Sequence, residues 1–244
     1  MILAIDAGNS RIKCGLHDGR SWLHRAWVAT ARAVELEAAW RDWPQPDGVL
    51  ACNVAGAAAG AAIEAALAAR RLVPYWIEAA AEQCGIRSSY EDPRQLGADR
   101  WAALVGAWHL HPGSALVVNA GTAVTVDALS DEGLFLGGII IPGLQLMREA
   151  LAQNTAALKL AAGEVSYFPN RTADAIQSGA VHAVCGAVER LAGFMLEAGQ
   201  PPPLAIVSGG GAQLLQPHLN LEARVVDNLV LEGLIRIAQE TGVR

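Results

Sequence analysis

The sequence predicts an α/β fold in two similar halves. Two observations carry this: the order of three strands followed by alternating helices and strands occurs twice. Each copy also opens on an apolar strand that runs into a Gly-centred polar turn and straight out along another strand. The two turns are Asp6-Ala-Gly-Asn-Ser and Asn119-Ala-Gly-Thr-Ala.

In the first half, Ile2 to Ile5 is a short apolar run ending in Asp6. Gly8 allows a backbone turn that a side chain would obstruct, and Ile12 to Leu16 resumes the strand. Trp22 to Val28 reads as a third strand, followed by a helix from Ala33 to Trp43, a strand at Gly48 to Asn53, an Ala-rich helix from Ala58 to Arg71 and a strand at Val73 to Ile77. Ile63, Ala66, Leu67 and Arg70 keep helical spacing, which makes the Ala-rich run a packed helix rather than a linker. A helix from Arg100 to Leu110 stops at Pro112. The pattern then restarts with strands at Ala115 to Val118, Ala123 to Leu129 and Leu134 to Ile141. A long helix from Thr172 to Glu197, apolar runs at Leu204 to Val207 and Arg224 to Val226, and a last helix from Leu229 to Glu240 complete it. Three antiparallel strands followed by alternating helix and strand is the layout of a ribonuclease H-like unit. The boundary falls near Pro112, giving an N-terminal domain over residues 1–112 and a C-terminal domain over residues 113–244 that face each other across a cleft.

Composition limits the function. With 52% hydrophobic residues among 244, the chain has ample material for a buried core. Lys and Arg total 18 against 24 Asp and Glu, for a net charge of -6 with no basic block, so no nucleic-acid partner is expected. The first residues lead straight into a strand without a basic leader, and the apolar run from Leu134 to Leu146 is broken by Gly137, Gly138, Pro142 and Gly143. A cytoplasmic protein with no membrane partner is the expectation. The cysteines, Cys14, Cys52, Cys84 and Cys185, show no C-x-x-C spacing and read as reduced thiols, Cys14 and Cys52 in core strands. His109 and His111 sit at a helix end and point to different faces, which suits a helix terminus better than a metal.

The turns carry the chemistry. A tight turn between paired strands presents backbone N–H groups to which phosphate oxygens can bind, although each turn taken singly is equally an ordinary hairpin. A carboxylate at such a mouth repels phosphate, so Asp6 makes most sense as a ligand, direct or through water, of a nucleotide's magnesium ion. Ser208-Gly209-Gly210-Gly211 between a strand and a helix offers bare backbone to a nucleotide, or is a flexible connection. In Gly97-Ala98-Asp99-Arg100, Asp99 at the start of a helix is either an N-cap or a proton acceptor for an attacking hydroxyl. Arg100 follows at once and Tyr90, Asp92 and Pro93 lie just upstream, so the loop holds an acid, a fixed cation and an aromatic hydroxyl together, suited to a small hydroxy acid.

Together, Asp6-Ala-Gly-Asn-Ser, Gly97-Ala-Asp-Arg100, Ala120-Gly-Thr-Ala-Val-Thr-Val-Asp127 and Gly137-Gly-Ile-Ile-Ile-Pro-Gly143 resemble, in order and over nearly the whole length, the type III pantothenate kinases. The resemblance implies an acetate and sugar kinase-like (Hsp70/actin-like) fold, a homodimer, and ATP-dependent phosphorylation of pantothenate to 4'-phosphopantothenate, the first step toward coenzyme A. It implies that Asp6, Ala7, Gly8, Asn9, Ser10, Arg11, Ile12 and Lys13 hold the ATP phosphates, with Thr122 reaching the nucleotide from the second turn; Gly209 and Gly210 are nucleotide candidates from their own Gly-rich pattern. Asp99 is implied as general base. Tyr90 and the loop Gly97, Ala98, Asp99 and Arg100 line the pantothenate pocket, and Thr172 is donated to substrate across the dimer. Cofactors implied are magnesium and a monovalent cation, potassium or ammonium. In relatives an acidic residue opens the second turn and binds that cation; here the position is Asn119, which contributes no formal charge and weakens the expected dependence. Rival readings are a kinase for a sugar or another small hydroxy acid, a kinase-fold regulatory protein of transcription, and a ribonuclease H-like nuclease. The last would want a cluster of carboxylates for two metals.

Overall fold

The computed structural model describes residues 1–155, 158 and 161–243. These fall into two units, Met1–Pro112 together with the segment from Asn228 onward, and Gly113–Asp227.

In the first unit, β1 (Ile2–Ala7), β2 (Arg11–His17) and β3 (Trp22–Ala29) form an antiparallel meander. β4 (Gly48–Asn53) and β5 (Tyr75–Trp76) join in parallel beyond β1, in the order β3-β2-β1-β4-β5. The central β1 is buried on both faces, which is why it reads as an unbroken apolar run. On one face Leu3, Ile5 and Ala7 pack into a core with Leu36 of α1 (Leu36–Ala39) and Ile63 and Leu67 of α2 (Ala57–Ala68). The helix expected from Ala33 to Trp43 is a 3-10 turn over Thr30–Glu35 followed by the single turn α1. Thr30 explains the break. Its hydroxyl donates to the Gly8 carbonyl at 2.6 Å and its N–H to the Ser10 carbonyl at 3.1 Å, tying the segment to the first Gly turn. At Arg32 the backbone leaves helical geometry (φ -119°, ψ 31°). β6 (Glu82–Gln83) and β7 (Ile86–Ser88) are a small hairpin whose turn residues Cys84 and Gly85 both have positive φ, the type I′ geometry. α3 (Ala98–Leu110) follows.

In the second unit, β8 (Ala115–Ala120), β9 (Ala123–Leu129) and β10 (Leu134–Pro142) repeat the meander. α4 (Leu144–Asn154) and α5 (Thr172–Glu197) follow, then β11 (Leu204–Ser208), α6 (Ala212–Leu215) and β12 (Ala223–Val225). The order β12-β11-β8-β9-β10 places two parallel strands beyond the first strand of the meander, as in the first unit. α4 has no fully buried residue; Leu144 and Met147 on one side of it rest half-buried against the core of the second unit. α5 has the length and hydropathy of a membrane span, but Val181, Val184 and Val188 on one stripe pack with Val118, Val126 and Val207 of the sheet.

α7 (Leu229–Thr241) belongs with the first unit, whereas the boundary drawn from sequence kept residues 113–244 together. Glycines account for the return. A Cβ at Gly106 of α3 would lie 2.6 Å from the Leu229 carbonyl oxygen, and one at Gly233 of α7 would overlap the Ala102 carbonyl. The two helices therefore meet backbone to backbone, burying Leu229, Leu231, Leu234 and Ile237. Gly233→Leu is expected to cost at least about 1–3 kcal/mol by overpacking this crossing. A urea midpoint equal to that of the native chain would refute the close approach.

Candidate active site

The first unit assembles a row of side chains across four strands. Asp6 of β1 pairs in register with Lys13 of β2 and Cys52 of β4, and Lys13 pairs with Trp27 of β3. Directly paired residues share a face of the sheet, so Cys52, Asp6, Lys13 and Trp27 project together. Asp6 is 8% exposed, and the Cys52 thiol donates to its Oδ1 at 3.5 Å. Burial pushes the Asp6 carboxyl up to about 6; Lys13 opposes this and the charge of Asp99 adds to it. Asp6 and Asp99, 93 positions apart in the numbering of the chain, are thus brought within electrostatic reach of each other.

Asp99 owes its position to Gly97. Gly97 takes the N-cap place of α3 with no side-chain cap, so Asp99 is not the cap but the second residue of the helix. Its Oδ1 accepts the Arg100 N–H at 2.8 Å, and a Cβ on Gly97 would lie 2.7 Å from that same oxygen. Burial raises the Asp99 carboxyl, against the Arg100 N–H and the Arg100 charge, which lower it. A carboxylate with raised proton affinity at a helix N-terminus is equipped to take a proton. Arg100 is buried, and Tyr90 is half-buried just before the 3-10 turn Pro93–Gln95. Asp92 is taken up by Arg94, whose Nε donates to its Oδ1 at 2.9 Å. A groove of about 630 Å³ runs along Asn53, Val54, Gly60, Trp76, Gly97 and Ala98, so the Gly97–Ala98 step opens onto a cavity.

The two turns are related but not identical. Gly8 to Arg11 lie between the paired Ala7 and Ile12, but only Gly121 to Ala123 lie between the paired Ala120 and Val124. The Gly8 N–H donates to the Arg11 carbonyl at 3.1 Å and the Gly121 N–H to the Ala123 carbonyl at 3.0 Å. These two amides close the turns, so the N–H groups for phosphate must come from other turn residues or from side chains such as Arg11 and Lys13.

In the second unit three glycines converge on the second turn. Gly209 has φ +94°, and a Cβ there would lie 2.5 Å from the Ala120 carbonyl oxygen, to which Gly211 N–H donates at 3.0 Å. Gly143 N–H donates to the Thr122 carbonyl at 2.9 Å, and a side chain on it would overlap the carbonyls of Gly121 and Thr122. Gly210 and Thr122 are exposed or half-exposed beside this knot. Asn119 pairs in register with Thr125 of β9 and Ser208 of β11. The Thr125 hydroxyl is buried with no hydrogen-bond partner among the described residues. Gly143 and Thr125 were not singled out as site residues from sequence; the Pro142-Gly143 step closing β10 was the available signal for the first, and register with Asn119 for the second. Thr172 opens α5 on an exposed stretch that includes Tyr167 (87% exposed) and Phe168 (95%).

The model of the type III pantothenate kinase family matches residues 2–193. The type III pantothenate kinase of Nitrosospira multiformis is 50% identical over 241 residues, covering 99% of this chain and 92% of that protein. Among solved structures, the Campylobacter jejuni protein named as a Baf family transcriptional activator superposes with a TM-score of 0.64 at 20% identity, covering 98% of each chain. The Sinorhizobium meliloti protein named as a 2-dehydro-3-deoxygalactonokinase superposes with a TM-score of 0.62 at 17% identity, again covering 98% of each chain. At these identities the two structures speak for the fold alone, the two-sheet α/β architecture of acetate and sugar kinase-like proteins.

Proposed function

Since the chain belongs to the type III pantothenate kinase family, we propose that it transfers the γ-phosphoryl group of ATP to the primary alcohol of pantothenate, giving 4'-phosphopantothenate and ADP. The observation that carries the chemistry is the pair of carboxylates, buried Asp6 and half-buried Asp99, within electrostatic reach of each other and with different neighbours. Asp99 takes the hydroxyl proton as the alcohol oxygen bonds to the γ-phosphorus and the bond from that phosphorus to the bridging oxygen of ADP breaks. Gly97, Ala98, Arg100 and Tyr90 hold the pantothenate around it. Most of the acceleration comes from positioning and from charge compensation, with the base adding less.

Asp6 fits a divalent cation: it is a buried carboxylate whose ionised form the protein alone leaves poorly compensated. Magnesium, when bound with ATP, neutralises charge on the transferring phosphates. Lys13, Arg11 and the turn residues Gly8 to Ser10 orient the phosphate tail; Thr122, Gly209 and Gly210 take the nucleotide in the second unit. A monovalent cation also fits. Asn119 and the unpartnered Thr125 hydroxyl offer neutral oxygens side by side in register, a donor set suited to potassium. We assign the protein to the cytoplasm as a homodimer. The exposed Tyr167 and Phe168 next to Thr172 are the kind of apolar surface a second copy would cover, which supports Thr172 as a residue donated to the partner's substrate.

The test is coupled ADP release with Mg-ATP, with and without pantothenate, in sodium and then in potassium or ammonium buffer. Pantothenate-dependent turnover is expected, with only a modest rise in potassium, because Asn119 brings no charge; Asn119→Asp should deepen the potassium dependence. Turnover with a sugar or another hydroxy acid instead would overturn the acceptor, and folded protein silent with every acceptor would favour a regulatory role. A steep potassium requirement in the native chain would refute the weakening assigned to Asn119.

A further inference from the structure

Arg11, one of the phosphate-orienting side chains, meets Trp27, a residue with no assigned role. Arg11 opens β2 two residues before Lys13, and Trp27 is the strand partner of Lys13, so Arg11 and Trp27 are diagonal neighbours on one face of the sheet. The Arg11 guanidinium carbon lies 4.4 Å from the centre of the Trp27 ring. Trp27 is 57% exposed, an unusual place for an indole that packs into no core. Among the described residues none makes a hydrogen bond or ion pair to the Arg11 side chain.

Stacking engages the flat face of a guanidinium and leaves its rim of N–H donors directed outward. A rim of this kind matches phosphate oxygens and can bind two at once. Arg11 also ends the first turn, since its own carbonyl accepts the Gly8 N–H at 3.1 Å. Arg11 thus takes part both in the turn's closing backbone bond and in the contact with Trp27.

Resting on the kinase reading, we infer that Trp27 is a positioning residue: its ring is a platform that holds the Arg11 guanidinium at the first turn to receive the phosphate oxygens of the donor nucleotide. The platform acts on donor binding rather than on the acceptor. A leucine would keep apolar contact and lose the π face, while phenylalanine would keep the face.

The experiment is a calorimetric titration of Mg-ATP, without acceptor, into the native chain, Trp27→Leu, Trp27→Phe, Arg11→Ala and the Arg11→Ala, Trp27→Leu double variant, with KM and kcat measured alongside. Trp27→Leu should weaken Mg-ATP binding about twofold to fivefold, the scale of an exposed cation–π contact. The effect should fall on KM for ATP rather than on kcat or KM for pantothenate, and Trp27→Phe should restore most of it. Once Arg11 is alanine, Trp27→Leu should add nothing. Equal weakening in the Arg11→Ala background, no weakening at all, or an equal loss in KM for pantothenate would each overturn the inference. A native chain that binds Mg-ATP but turns over no pantothenate would refute the acceptor and leave these titrations to decide Trp27 on their own. A native chain that does not bind Mg-ATP overturns both.

Discussion

Asp99→Asn is expected to lower kcat by about a hundredfold to ten-thousandfold, the usual worth of a positioned base, while KM for ATP stays close to native. The substitution is nearly isosteric. The amide oxygen can keep accepting the Arg100 N–H that now reaches Oδ1 at 2.8 Å, so the start of α3 and the fit against Gly97 are retained. What is lost is proton affinity, which burial raises in the native carboxyl. Because that burial disfavours the charged form, the neutral variant should fold at least as stably at neutral pH. Loss of turnover accompanied by unfolding would therefore point away from catalysis and toward a structural role. Native-like kcat in a folded variant would remove Asp99 as the base. In the native enzyme, turnover should also fall on acidification as Asp99 becomes protonated and can no longer accept the alcohol proton.

That prediction rests on a detail the sequence left open. An Asp directly after Gly-Ala at a helix start reads as an N-cap as readily as a base, and only the backbone decides: Gly97 takes the cap position and leaves Asp99 as the second residue of the helix. Much else was legible. β4 and α5 begin and end where the apolar pattern does, because each buries a continuous stripe against its own sheet. The duplicated meander was also readable, since hairpin strands declare themselves by alternation and Gly turns. Elements governed by contacts distant in sequence were not. The stretch from Ala33 to Trp43 has helical composition, yet Thr30 anchors its start to the first turn, a tertiary bond that no local propensity contains. α7 has one strongly apolar face, which announces a helix but not the unit it packs into; the glycines of two segments 127 positions apart, Gly106 and Gly233, make that choice. At the second turn the bare run from Gly209 to Gly211 suggested backbone exposed to a nucleotide. The structure shows a second reason for it, since Gly209 and Gly211 lie against Ala120 and support the turn from behind.

Asp6→Asn should separate function from stability by moving them in opposite directions. The native carboxyl is raised from 3.8 to about 6, so the folded chain binds this proton more tightly than the unfolded chain does. The resulting stabilisation is complete below about pH 3.8 and is lost as pH rises through about 6. At pH 8 the native protein alone thus carries an ionised carboxylate that burial penalises, a cost of ~3 kcal/mol for a shift of about two units. Asn removes that charge, so the variant should melt higher than the native chain at pH 8 in chelator, and the two should converge at pH 4. Adding Mg-ATP should reverse the order, because only the carboxylate gains a cation, and kcat/KM for Mg-ATP should drop about tenfold to a hundredfold in the variant. An Asp6→Asn protein with native Mg-ATP kinetics would take Asp6 out of the site, and one that melts lower at pH 8 without ligand would show that Lys13 and Cys52 already satisfy the charge. A carboxylate that is costly in the empty protein and compensated only with its ligand is what separates a binding residue from a structural one.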